Sequence, residues 1–279
     1  MNGKISGNPI MANSFCTLIS GLLLCLWGGS LAGCEQTFEP YKENNEFHFS
    51  FYGYLDASAD TQWVRISPAR VEFQVPTDAP DAVVTLEEME TGHSAVLEDS
   101  LFERTGGYNY WNYWTTMDVR AEHTYRLLAE SPDGATSSVT VTIPPDFPKP
   151  RIGYHLNGCQ ATLSIRGVER LADAQSVWRY SAQQLYRFPY RTQAYGGVSG
   201  FHTIELNAIR ERTQIPVAEN VDVQSRYVMV AAGGPEWVEG VDSLDDPTYT
   251  LPEGFSNVQN GLGYMVGILS KTTPYEECH

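Results

Sequence analysis

The sequence predicts a mostly β protein, in which an N-terminal immunoglobulin-like β-sandwich is followed by a second β-rich domain with short helices. Three observations carry this prediction. Short segments alternate between apolar and polar residues with a period of two, which is typical of half-buried strands. Turn-forming residues such as Asp133-Gly134 separate these segments. Four prolines fall within residues 144–150, and because proline cannot pair inside a sheet, they predict a linker between two domains.

The first element in chain order is an apolar run over residues 18–27, which is too short and too rich in glycine for a membrane-spanning helix. It leads to a Leu-Ala-Gly-Cys tetrapeptide that ends at Cys34. Small residues just before a cysteine are typical of a lipoprotein signal peptide. We therefore expect residues 1–33 to be removed and Cys34 to carry a lipid anchor, followed by a polar tether over residues 34–45. The alternative is a buried N-terminal helix in which the tetrapeptide occurs by chance.

Residues 46–144 are predicted to form the immunoglobulin-like sandwich. In the second strand, Val64 and Ile66 lie on one face, and Trp63 and Arg65 lie on the other. The predicted strands cover residues 47–55, 62–68, 82–87, 94–97, 108–116, 125–130 and 136–143.

Residues 145–150 form the predicted proline-rich linker, and residues 151–279 form the predicted second domain. Its strands are expected at residues 161–165, 176–186, 200–206, 227–232 and 260–267, and its short helices at 208–213 and near 235–241. Glycines in the last of these strands are expected where another backbone packs closely.

Acidic residues outnumber basic ones, with 34 Asp and Glu against 18 Lys and Arg, and the formal net charge is −16. Nucleic acid is therefore excluded as a partner, because phosphate binding needs clustered Lys and Arg. Direct adsorption to an anionic membrane surface is excluded for the same reason.

Two cysteines, Cys159 and Cys278, lie in the predicted second domain. An exported chain reaches an oxidising compartment, in which such a pair can form a disulfide. That bond would tie the end of the domain to its start. Two separate buried thiols are the alternative, because the spacing does not establish that the two residues approach each other.

Motifs for catalysis, metals and cofactors are missing from the sequence. None of the six histidines stands in a zinc-binding spacing. There is no serine-hydrolase elbow, phosphate loop or dinucleotide-binding fingerprint. We therefore expect a protein that is not an enzyme and that has neither a metal site nor a cofactor.

Two acidic clusters could supply oxygen ligands for calcium, but neither has the spacing of an EF-hand loop. The clusters are Glu87, Glu88 and Glu90 at a predicted hairpin turn, and Asp242, Asp245 and Asp246 in a predicted loop. Charged runs mostly lie at the surface, so solvated turns are the preferred interpretation.

The predicted strand over residues 108–116 is unusually aromatic. Its alternation places Tyr108, Tyr110 and Trp114 on one face and Trp111 and Tyr113 on the other. Only one face of a sandwich strand can enter the core, so these five residues are the candidates for contact with a sugar ring or a protein partner. The alternative is that a loop or the second domain covers the outer face, and it is favoured because large apolar patches are rare on monomers.

Short motifs follow one another in a definite order along the chain. They are Cys34-Glu35, Tyr52-Gly53-Tyr54-Leu55, the segments 82–86 and 91–92, Tyr125-Arg126-Leu127, Asp133-Gly134, and the segments 139–144 and 257–264. In this order they resemble the bacterial envelope lipoproteins grouped as domain of unknown function 4249. The resemblance implies an N-terminal sandwich of the transthyretin or carboxypeptidase-regulatory type, and a place beside TonB-dependent outer-membrane receptors. It supplies no catalytic residues.

Together these features predict a lipid-anchored protein of the bacterial outer membrane, on its periplasmic or its surface face. The first hypothesis is a non-enzymatic accessory or ligand-capturing partner of a TonB-dependent transporter, with a carbohydrate or peptide ligand. The second is an envelope enzyme that acts on glycan or peptide and uses the sandwich as a spacer. The third is a purely structural surface protein.

Overall fold

The computed structural model describes residues 47–69, 79–104, 108–155, 159–181, 185–191, 194–198, 200–215, 223–238 and 255–276. In this part of the chain there are sixteen β-strands and one short α-helix, so the prediction of a mostly β protein is confirmed. The predicted signal peptide, Cys34 and the tether lie outside the described residues. Within the described ranges, no helix has both the length and the apolarity needed to cross a membrane.

Eight strands precede the proline-rich segment. They are β1 (Phe49–Asp56), β2 (Gln62–Pro68), β3 (Val83–Glu88), β4 (Ser94–Val96), β5 (Glu98–Arg104), β6 (Tyr108–Thr115), β7 (Thr124–Glu130) and β8 (Thr136–Thr142). The period-two pattern that predicts β2 is confirmed, because Val64 and Ile66 are buried while Trp63 and Arg65 are exposed. Phe47, which the sequence assigns to the first strand, precedes β1 and is 38% exposed.

The remaining elements follow the proline-rich segment. They are β9 (Arg151–Tyr154), β10 (Gln160–Arg166), β11 (Leu171–Arg179), β12 (Leu185–Pro189), β13 (Tyr195–Val198), β14 (Phe201–Asn207), α1 (Ala208–Gln214), β15 (Ser225–Gly233) and β16 (Gly261–Pro274). The helix predicted at 208–213 is confirmed as α1, and the Asn207 side chain caps it by accepting from the Arg210 backbone N–H at 3.0 Å. The second predicted helix is not present at residues 235–238, which form a turn and an irregular segment.

The single strand predicted over residues 176–186 is wrong, because this segment contains parts of two antiparallel strands, β11 and β12. Every residue of β11 except Arg179 is buried. A strand covered on both faces has no alternation of apolar and polar residues, and so its start at Leu171 left no periodic signal.

The strands form three sheets. The largest has eight strands in the order β12-β11-β15-β16-β1-β2-β6-β5, and the two smaller ones have the orders β13-β14-β10-β9 and β4-β3-β7-β8. The large sheet takes strands from both sides of the proline-rich segment. Its two halves meet where β1 pairs in parallel with β16, with Phe49 beside Gly261. Residues 44–279 accordingly form one compact unit. The predicted boundary at residues 145–150 therefore does not separate two independent sheets.

Two main hydrophobic cores lie under the large sheet, and β16 contributes to both. Phe51, Leu86 and Leu127 are fully buried in the first core, together with Met265 from β16. The second core is built on the side of β11 and β15 and includes Leu269 from β16. Each such side chain contributes about 1.5–3 kcal/mol to stability when it is fully buried.

Glycines let β16 approach its neighbours closely, as the sequence predicts. A Cβ atom on Gly263 would lie 2.0 Å from the Phe51 carbonyl oxygen, and one on Gly267 would lie 2.4 Å from the Thr142 carbonyl oxygen. Gly263 also has a φ of +113°, a backbone conformation that residues other than glycine rarely adopt.

Cys159 is disulfide-bonded. Cys278, the partner that the sequence suggests, lies outside the described residues, as do Asp242, Asp245 and Asp246.

Candidate ligand-binding face

Three aromatic side chains gather on the outer side of the eight-stranded sheet. They come from neighbouring strands: Trp63 from β2, Trp114 from β6 and Phe102 from β5. We call these three residues the aromatic face. The strand pattern turns them outward, because their neighbours Val64 and Tyr113 fill the first core.

The rings of the aromatic face are in contact with one another. The Trp63 and Trp114 centroids lie 5.7 Å apart with an interplanar angle of 31°, and the two residues face each other directly across the paired strands. The Phe102 ring meets Trp63 edge-on, with centroids 5.2 Å apart and planes at 86°. Such contacts add about 0.5–1.5 kcal/mol per pair and restrain the rings. Even so, Trp63 is 43% and Phe102 is 45% exposed, so solvent reaches both rings.

Polar side chains stand in register with these rings. In one row across the sheet, Trp114 pairs with Glu98, which is exposed. In the next row, Asn112 lies between Arg65 on β2 and Ser100 on β5. Because neighbouring strands are only about 4.8 Å apart, a small molecule stacked on the rings would lie within reach of a carboxylate, an amide and a hydroxyl group.

The five aromatic residues predicted as contacts do not share one environment. Trp114 is half-buried on the aromatic face. Tyr113 is only 3% exposed and its hydroxyl donates to the Pro80 carbonyl at 3.2 Å, which leaves no access for a ligand from this face. Burial, with a smaller contribution from Asp99, raises the pKa of Tyr113 to about 12.

Trp111 is half-buried, and its indole Nε1 is buried without a hydrogen-bond partner among the described residues. Tyr108 and Tyr110 belong to β6 by their backbone pairing, and their side chains are outside the described part of the chain.

Sequence reasoning missed two of the three rings on the aromatic face. Trp63 carried a signal, since the pattern of β2 turns it outward, but a lone outward tryptophan does not identify a neighbour. Phe102 lies on β5, a strand without clear alternation, and no sequence signal placed it beside Trp63.

The solvated turn that the sequence favours at Glu87, Glu88 and Glu90 is wrong for Glu88, whereas Glu87 is half-buried and Glu90 is exposed. The Glu88 side chain is completely buried, and it pairs with Arg120 at 2.7 Å and with His123 Nδ1 at 2.8 Å. The Thr91 hydroxyl also donates to it. This hydrogen bond, followed by the charges of Arg120 and His123, lowers the pKa of Glu88. The carboxylate therefore acts as a structural anchor of the hairpin.

A second buried carboxylate belongs to Glu211 on α1. It accepts hydrogen bonds from the Ser176 hydroxyl at 2.6 Å, the Trp178 indole N–H at 2.5 Å and the Tyr190 hydroxyl at 2.5 Å. Because three donors already bind its oxygens, the Glu211 carboxylate holds α1 against β11 and has no free position for a ligand. Among the described residues, no group of three or more His, Cys, Asp or Glu side chains could hold a metal ion.

No protein-family model and no curated protein matches the chain. Two solved structures of a pullulanase from Anoxybacillus sp. LM18-11, one of them complexed with maltotriose, are similar at 13% sequence identity and a TM-score of 0.24. The match covers 65% of this chain but 24% of the pullulanase chain, so this chain spans about a quarter of that length. A likeness this low supports no conclusion about fold or function.

Proposed function

We propose that this protein is a non-enzymatic, lipid-anchored binding protein of the bacterial envelope, and that it captures a carbohydrate on its aromatic face. The observation that carries the proposal is the exposure of Trp63 and Phe102 in a fixed edge-to-face arrangement, with polar side chains in register beside them.

Carbohydrate fits this face better than a large protein partner does. The C–H groups of a sugar ring pack on an indole plane, while its hydroxyl groups need donors and acceptors such as Asn112, Ser100 and Glu98. A stable protein partner would instead cover about 800 Å² on each side, around an apolar centre depleted of charge. Three rings bordered by Glu98 and Arg65 provide a much smaller apolar area.

The binding proposal can be tested with the full chain purified in detergent and titrated against a panel of neutral oligosaccharides by calorimetry. We expect Trp63→Ala to weaken binding about tenfold or more, which corresponds to the loss of about 1.4 kcal/mol of stacking. Phe201→Ala is the matched control, because Phe201 is an exposed ring on β14, in another sheet. Equal loss in both variants, or no binding to any oligosaccharide, would contradict the proposal. Turnover of a bound oligosaccharide would favour the enzyme hypothesis instead.

The location and the partner form a separate part of the proposal. The tetrapeptide that ends at Cys34 supports a lipid anchor, and the resemblance to the envelope lipoprotein family supports a place beside a TonB-dependent outer-membrane barrel. The test is purification from native membranes, with mass spectrometry of the proteins recovered. Near-stoichiometric recovery of a barrel, lost in a Cys34→Ala variant, is the expected result. Recovery of the lipoprotein alone would contradict a stable partner and leave the binding proposal intact.

A further inference from the structure

A cavity of about 450 Å³ opens on a different part of the molecule, where the end of β8, the loop after β10 and the end of β15 meet. Its lining shares no residue with the aromatic face. Its lining includes Glu122, Pro144, Pro145, Glu169, Arg170 and Gly234. This volume is within the usual range for sites that bind small molecules.

The walls of the cavity are rigid. Pro144 and Pro145 fix the backbone torsions along one side. On the other side, a Cβ atom on Gly234 would lie 2.0 Å from the Thr142 carbonyl oxygen, so the two backbones are in direct contact there. The Gly234 N–H donates to the Gly267 carbonyl at 2.8 Å, which ties this wall to β16. The cavity is therefore formed before any ligand arrives, which lowers the entropic cost of binding.

The charge around the cavity is predominantly negative. Glu122 and Glu169 are exposed acidic residues of the lining, and Arg170 is the basic residue among those that line the cavity. A third carboxylate, Glu236, lies directly behind the wall. Its Oε1 accepts from the Thr142 backbone N–H at 3.0 Å, and its Oε2 is only 3.0 Å from the position of a Cβ on Gly234.

The second carboxylate oxygen of Glu236, Oε2, distinguishes this cavity from an ordinary acidic surface. Glu236 Oε2 is buried and has no hydrogen-bond partner among the described residues. Glu236 is half-buried, but a carboxylate with one buried, uncompensated oxygen creates a negative potential that water screens less than it screens the charge of an exposed group. Gly234 lines the cavity and lies against this oxygen, so the potential reaches the cavity across the Gly234 backbone.

We propose that the cavity binds a small organic cation, a primary amine with a compact apolar body. The ammonium group lies between Glu122 and Glu169, and the field of Glu236 favours its charge. The apolar body packs against Pro144 and Pro145. This proposal does not depend on carbohydrate capture at the aromatic face.

The test uses the full chain in detergent, with benzylamine as the probe and benzyl alcohol as its neutral counterpart of similar shape. Calorimetric titrations with a detergent blank should give an affinity for benzylamine about tenfold or more above that for benzyl alcohol, because only the amine forms charge-assisted hydrogen bonds. Equal affinities, or no binding of benzylamine, would overturn the proposal.

Two variants assign the binding to the cavity. Glu236→Gln keeps the size of the side chain and the acceptor for Thr142 but removes the charge, so it should weaken benzylamine binding while leaving benzyl alcohol unaffected. Glu169→Trp places a bulky ring at the mouth on an exposed position and should block both probes. Glu130→Gln, a change of the same charge at an exposed site at the end of β7, is the control and should have no effect. Unchanged benzylamine binding in both cavity variants would overturn the proposal.

Discussion

At the scale of single residues, the buried carboxylate of Glu88 makes the stability of the fold depend on pH in the acidic range. Its hydrogen bond from Thr91 and its pairs with Arg120 and His123 lower its pKa in the folded state. A group whose pKa is lowered by folding contributes stability above its unfolded pKa of about 4.3, and that contribution is lost as the pH falls through the folded value.

Glu88→Gln should therefore reduce the free energy of unfolding at neutral pH and flatten its dependence on pH below about 4.3. The measurement is urea denaturation at a series of pH values. Glu87→Gln is the control, because Glu87 and its partner Arg126 are partly exposed and such surface pairs contribute only about 0–1 kcal/mol. If both variants follow the wild-type pH dependence, Glu88 is not the source of the acid response.

Buried tyrosine residues make the stability of the fold depend on pH in the alkaline range, where stability falls as the pH rises. Burial raises the pKa of both Tyr113 and Tyr264 to about 12. Folding favours the neutral phenol, so this stability is fully present below the unfolded pKa of about 10 and is lost as the pH rises through about 12.

We expect alkaline unfolding to begin above pH of about 10, with phenolate absorbance of the buried tyrosines appearing together with the loss of β circular dichroism. Tyr113→Phe removes one of these ionisable groups and should shift the transition to higher pH. An absorbance change that precedes unfolding would show that the phenols ionise in the folded state.

Sequence reasoning at the residue scale succeeded where a single strand decides the outcome. It placed Val64 and Ile66 in the core and left Trp63 outside, because alternation alone sets the two faces. It failed for Glu88, since the burial of that carboxylate depends on Arg120, which lies 32 positions further along the chain.

At the scale of elements, alternation predicted most strands but missed β5, β9 and β13 entirely. β5 and β9 lie at the edges of their sheets, as does β13. Edge strands are often short or charged; β9 and β13 have only four residues each, and β5 carries four charged residues, so none of the three shows a clear apolar alternation. β11 was misjudged for the opposite reason, because almost all of its residues are buried.

The glycines of β16 are the most sensitive points among the elements. Gly263→Ala forces a Cβ into the Phe51 carbonyl oxygen at a φ of +113°, so β16 must move away from β1. We expect a loss of about 2–4 kcal/mol in unfolding free energy, measured by chemical denaturation.

Gly134→Ala is the matched control for this variant. Gly134 also has a positive φ, +85°, but a Cβ there would meet nothing within 4 Å. The loss in the free energy of unfolding should be limited to the torsional strain, about 1–2 kcal/mol. An equal loss in the two variants would mean that the contact with Phe51 is relieved at little cost.

At the scale of the whole molecule, the large sheet unites the two halves that the sequence presents as separate domains. The prediction rested on the prolines at 144–150, which do lie outside any strand. The pairing of β1 with β16 left no local trace, because parallel neighbours so distant along the chain share no turn.

The shared sheet predicts one cooperative unfolding transition for residues 47–276. Met265 belongs to the first core and Leu269 to the second, so removal of β16 should unfold both halves. A chain truncated after residue 254 should lack the circular dichroism of β structure and be digested rapidly by protease. Persistence of a protease-resistant fragment over residues 46–144 would instead support an independent first domain.

The pairing of β1 with β16 also limits when the protein can fold. β1, near the start of the chain, cannot pair with β16 until about two hundred further residues have been synthesised. Folds dominated by such distant pairings form slowly. If the chain is exported, as we propose, it would therefore remain unfolded while it crosses the inner membrane, and its sheet would close only after the last strand has crossed.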